Sequence, residues 1–75
     1  MVFELLRDMI VEATGCDESE VTPAAELRED LSLTDGELTE IVEAMAHELG
    51  FRFEEIELDE VTTAGDLVRC ISALL

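Results

Sequence analysis

Residues 29–50 read EDLSLTDGELTEIVEAMAHELG, and no other run constrains the fold as tightly. Thr34 followed three residues later by Glu37 is a capping-box pattern, so Thr34 is the expected N-cap of a helix over 35–49 that stops at Gly50. Leu38, Ile41, Val42, Met45 and Leu49 fall on one face of that helix, and Gly36, Glu40, Glu43 and His47 line the opposite one. The helix therefore needs a core on one side and presents acids on the other.

The neighbouring segments supply that core. Phe3, Leu6, Met9, Ile10 and Ala13 make an apolar stripe over residues 2–13, which Gly15 ends. Residues 16–33 form a long connection around Pro23, with helical turns expected at 18–21 and 24–28 and with Val21, Leu27 and Leu31 as its anchors into the core. Phe51, Phe53, Ile56 and Leu58 alternate as a strand would, but no second strand exists to pair with it, so an extended entry and a short helix near 55–59 are expected. Thr63 with Asp66 caps a last helix over 64–74, whose inner face is Leu67, Val68, Ile71 and Leu74 or Leu75.

These blocks carry a resemblance. The chain resembles the acyl carrier protein family, whose modification motif Asp-Leu-Gly-x-Asp-Ser-Leu falls without a gap on Asp30, Leu31, Ser32, Leu33, Thr34, Asp35 and Gly36. Val21-Thr22-Pro23, Glu29-Asp30-Leu31, Glu40-Ile41-Val42 with Ala44, Glu48-Leu49-Gly50 and Val61-Thr62-Thr63 match further family blocks in the same register. The resemblance implies an all-α, acyl-carrier-protein-like four-helix bundle with a long first loop and a short third helix, filling residues 1–75 as one domain. It also implies a serine bearing 4'-phosphopantetheine at the start of the second helix. Here Asp35 holds that position, and the family's following leucine is Gly36. A carboxylate offers no hydroxyl to a phosphopantetheine transferase, so no cofactor is expected at Asp35. Ser32-Leu33 with Glu37-Leu38 gives a local match if the motif shifts by three residues, which makes Ser32 the alternative attachment site. A cargo on Ser32 would be tucked among Met9, Leu38, Val42, Met45 and Ile71.

Twenty acids against four basic residues, all arginine, give a net charge of −16. Such a chain repels nucleic acid and anionic membranes and suits a basic protein surface. With 48% hydrophobic residues at helical spacing it is expected to be ordered rather than disordered. His47 is the only histidine and there is no lysine, so an enzyme is not expected. Cys16 and Cys70 have no CxxC spacing, which argues against a metal site, and Cys70 is expected in the core. The opening residues show no basic run followed by an apolar segment, so a cytoplasmic monomer without membrane insertion is expected. In the resembling family the acidic face of the second helix docks onto synthases and transferases. That implies a partner surface of Asp35, Gly36, Glu37, Glu40, Glu43 and His47, offered to basic sites on fatty-acid-, polyketide- or peptide-type enzymes of synthase, transferase or ligase type. The competing reading is a solvated face that serves solubility alone.

Overall fold

The computed structural model describes residues 2–75. Three α-helices, α1 (Val2–Thr14), α2 (Asp35–Leu49) and α3 (Ala64–Leu74), carry the architecture, and 3-10 turns punctuate the connections; among the described residues there is no strand. The helix α1 packs against both α2 and α3. Leu6 and Ile10 from α1, Leu38, Val42 and Met45 from α2, and Leu67 and Ile71 from α3 lose all their exposure where the helices meet. Burying an aliphatic side chain of this size is worth about 1.5–3 kcal/mol, so this heptad of contacts is the principal driving force for the bundle.

The expected signals act locally as well. The hydroxyl oxygen of Thr34 accepts from the Glu37 amide at 3.1 Å while the Glu37 carboxylate accepts from the Thr34 amide at 2.9 Å. Gly50 closes α2 in the left-handed region, at φ 83°. At the start of α3 the same reciprocal pair joins Thr63 and Asp66, both at 3.1 Å. Each cap is worth about 1 kcal/mol.

The long first connection is not free. Val21, Ala25, Leu27, Leu31 and Leu33 are all buried, two more anchors than the sequence spacing predicts. The backbone is also stitched to the start of α3: the Leu27 amide donates to the Thr62 carbonyl at 2.9 Å, Ala64 donates to Ala25 at 2.9 Å, and Gly65 donates to Pro23 at 2.8 Å. Glu26 and Thr63 thereby form an isolated antiparallel bridge where a helical turn at 24–28 is expected. The turn expected at 18–21 is present as Glu18–Glu20.

The short third helix takes the form of two 3-10 turns, Phe53–Glu55 and Leu58–Glu60. Ile56 and Val61 are both buried here. Five residues apart, they would point about 140° away from each other on one continuous α-helix, and breaking the chain into two tighter turns lets both face the core.

Several burial expectations need correction. Cys70 is exposed, because α3 turns Leu67 and Ile71 inward and leaves Cys70 at the edge of that stripe. Ala13 and Leu75 are exposed too, and Phe3, Met9, Val68 and Leu74 are only half-buried, so the outer turns of α1 and α3 bury a narrower stripe than their sequences offer.

Candidate acidic docking site at the start of the second helix

Asp35 is the first residue of α2. Its carboxylate is 84% exposed, yet it has a partner: Arg28 Nε donates to Asp35 Oδ1 at 2.9 Å. The remaining nitrogens of the same guanidinium turn away from Asp35. Nη1 donates to the Val61 carbonyl at 2.9 Å and Nη2 to the Leu58 carbonyl at 3.1 Å. Arg28 therefore joins the first connection, the start of α2 and the second 3-10 turn of the α2–α3 connection. Sequence reading did not single Arg28 out, since its carbonyl partners lie 30 and 33 residues away and no local pattern marks them. Asp35 also sits where the α2 dipole favours an anion, which contributes about 0.3–1 kcal/mol.

Ser32 lies in the turn two residues ahead of the N-cap and is exposed. It is the one non-glycine residue with positive φ among the described residues, at 56°. Leu31 and Leu33 on either side are buried at 6% and 3% exposure, so the left-handed turn at Ser32 sends both leucines inward and the hydroxyl outward. The hydroxyl stands in an open groove of about 400 Å³ shared with Cys16, Glu20, Asp30 and Glu37. Three carboxylates thus stand beside it, along with the apolar Ala13 and Leu31.

Of the expected partner surface, Asp35, Gly36, Glu40, Glu43 and His47 are exposed. Glu37 is half-buried, with one carboxylate oxygen committed to the Thr34 amide, so it serves the cap as well as the surface. Ala46, one turn on from Val42 at the edge of the apolar stripe, is buried at 9% and belongs to the core. Glu37, Glu40, Ile41 and Ala44 form one stripe of α2 that meets Met9 and Glu12 of α1 across an open groove of about 500 Å³, a juxtaposition that single-helix periodicity cannot reveal. Of the residues expected around a cargo on Ser32, only Met9 reaches this groove; Leu38, Val42, Met45 and Ile71 are fully buried in the core.

Residues 4–71 match the family model described as "Phosphopantetheine attachment site". The chain belongs to the acyl carrier protein family. It is 33% identical over 67 residues to the acyl carrier protein of Saccharopolyspora erythraea, covering 89% of this chain and 70% of that one. It is 32% identical over 74 residues to the acyl carrier protein of Thermotoga maritima, covering 99% of this chain and 91% of that one. This acyl carrier protein homologue has no helix, among the described residues, long and apolar enough to cross a membrane.

The family's cofactor can be tested against the residues present. A phosphodiester needs a hydroxyl, and at the position that the motif register assigns, the homologue offers the Asp35 carboxylate, already engaged by Arg28. The group does not fit there. The nearest hydroxyls in sequence are those of Thr34, which caps α2, and of Ser32 in its acidic groove.

Proposed function

We propose that this acyl carrier protein homologue works without phosphopantetheine, as an acidic docking module for a basic site on a biosynthetic enzyme of synthase, transferase or ligase type. The observation that carries the reading is the Arg28–Asp35 pair. The residue in the family's attachment register has no hydroxyl, and its carboxylate is tied at 2.9 Å into the link that holds the start of α2 against the α2–α3 connection. Around it, Asp35, Gly36, Glu37, Glu40, Glu43 and His47 compose the partner surface. Acids dominate it, so charge complementarity raises the association rate and selects basic partners. In this role the protein is a scaffold, decoy or regulator in fatty-acid-, polyketide- or peptide-type biosynthesis, and it performs no catalysis.

A second reading has one observation in its favour. Ser32 holds a left-handed conformation with its hydroxyl exposed, and backbone outliers of this kind gather at functional sites. It would make the homologue a working carrier attached through Ser32. Against it stand Glu20, Asp30 and Glu37, whose charges oppose a phosphodiester in the same groove.

Intact mass after incubation with coenzyme A and a broad-specificity phosphopantetheine transferase decides between the two. The expected result is an unchanged mass for the natural chain and one added phosphopantetheine for an Asp35→Ser, Gly36→Leu double variant. Addition to the natural chain, placed on Ser32 by fragmentation and lost in Ser32→Ala, would overturn the first reading.

A further inference from the structure

Every guanidinium nitrogen of Arg28 is committed, and to two different parts of the molecule. Nη2 and Nη1 hold the carbonyl oxygens of Leu58, which opens the turn Leu58–Glu60, and of Val61, which is its C-cap. The Leu58 carbonyl also accepts from the Val61 amide at 3.2 Å, so Arg28 reinforces the bond that closes the turn. A guanidinium is a rigid planar fork. With its Nη edge held by the α2–α3 connection, the Nε–H has one direction left, and it meets Asp35 Oδ1. Glu26, Glu29 and Asp59 line one groove with Arg28, yet the ion pair is made with Asp35. Geometry, and not charge alone, selects position 35.

We propose that Arg28 is a positioning residue that couples a negative charge at position 35 to the turn Leu58–Glu60, and that Asp35 is its permanent occupant, supplying unmodified the charge that a phosphodiester on a serine would supply. The misfit of the family's cofactor at Asp35 is then a substitution. The carboxylate gives a transferase nothing to modify but keeps the anion that Arg28 holds. A neutral side chain there would release Nε and loosen the plane on which both carbonyl bonds depend. Permanence of the occupant rests on the reading of this homologue as a module without phosphopantetheine; the coupling through Arg28 does not.

The test measures amide hydrogen exchange of the full chain by NMR, comparing the Glu60 and Val61 amides, which close the turn, with those of Ile10 and Val42 in the core. Asp35→Asn is expected to speed exchange at Glu60 and Val61 about two- to fivefold relative to Ile10 and Val42, the scale of an exposed pair. In an Arg28→Lys background, which keeps the charge and removes the fork, Asp35→Asn is expected to leave the turn unchanged. Charge is separated from shape by Asp35→Cys, combined with Cys16→Ala and Cys70→Ala and alkylated with either iodoacetate or iodoacetamide. The anionic adduct is expected to restore the natural exchange and the neutral one to behave as Asp35→Asn does. Acceleration of all four amides alike would show a plain loss of stability and overturn the coupling. Equal exchange in the two adducts, a silent Asp35→Asn, or an effect that persists undiminished beside Arg28→Lys would overturn it too. Phosphopantetheine on Ser32 of the natural chain would overturn the module reading and leave the coupling in place, so the two failures are separable.

Discussion

Arg28 and Asp35 are joined at 2.9 Å across the mouth of α2, and the same guanidinium holds the carbonyl oxygens of Leu58 and Val61. The two halves of this arrangement differ in value. The pair with Asp35 is largely in solvent, where such pairs are worth about 0.2–1 kcal/mol. The carbonyl bonds are part-buried and donated by a charged group, a class worth about 1.5–3 kcal/mol each. Asp35→Asn should therefore lower stability by less than about 1 kcal/mol, and Arg28→Ala by about 3–6 kcal/mol, as read from urea midpoints. Equal losses would mean that the carbonyl contacts contribute nothing in solution.

Gly65 and Gly36 make a contrasting pair. A Cβ on Gly65 would meet the Pro23 carbonyl oxygen at 2.9 Å, against backbone that is itself hydrogen-bonded to Gly65. Gly65→Ala should cost about 1–3 kcal/mol by forcing the first connection off α3. A Cβ on Gly36 meets only the Thr34 hydroxyl oxygen, at 4.0 Å, so Gly36→Ala should stabilise by about 0.5 kcal/mol through helix propensity alone. Parallel urea titrations check both signs, and a destabilising Gly36→Ala would contradict the open surroundings at α2.

Asp66 gives an acid dependence. Hydrogen bonds from the Thr63 amide, chiefly, then from Thr62 and from the Thr63 hydroxyl, together with the Arg69 charge, hold its carboxyl below the ordinary value of 3.8 against an opposing cost of desolvation. The folded value is the lower one, so the stabilisation is complete above 3.8 and disappears as pH falls through that lower folded value. Asp66→Ala should be less stable at neutral pH and should show a flatter decline in acid. Identical declines, compared by urea midpoints at successive pH values, would rule out this cap as the acid-labile element.

Net charge acts more diffusely. With −16 on 75 residues, self-repulsion opposes compaction most strongly when ions are scarce. Added salt, and divalent cations more so, should raise the melting temperature; a flat response across ionic strength would count against repulsion as a significant cost.

Particular residues show how far the chain could be read unaided. Thr34 with Glu37, Thr63 with Asp66, and Gly50 declared their helix boundaries correctly because caps depend on contacts within four residues. Val21, Leu27 and Leu31 of the first connection were recognisable as apolar residues in a polar stretch, whereas Ala25 and Leu33, buried beside them, were not. What escaped is long-range. Arg28 carries no local signature of bonds made 33 residues away, and Cys70 lies at a stripe edge where the neighbouring helix, rather than periodicity, decides which side is covered. The short helix expected near 55–59 is divided into two 3-10 turns for a related reason: the need to bury both Ile56 and Val61 overrides the simpler helix.

The stitch between the first connection and the start of α3 joins segments that lie 35–42 residues apart in the chain. Residues 23–27 acquire their backbone partners only once residues 62–65 have arrived, so the start of α2 is braced by a segment lying later in the chain. During synthesis the start of α2 would stay unbraced until residues 62–65 have emerged, and a variant lacking α3 would present the same acids without that brace. The amides of Leu27, Ala64 and Gly65 should accordingly exchange with solvent as one group, through a single opening event.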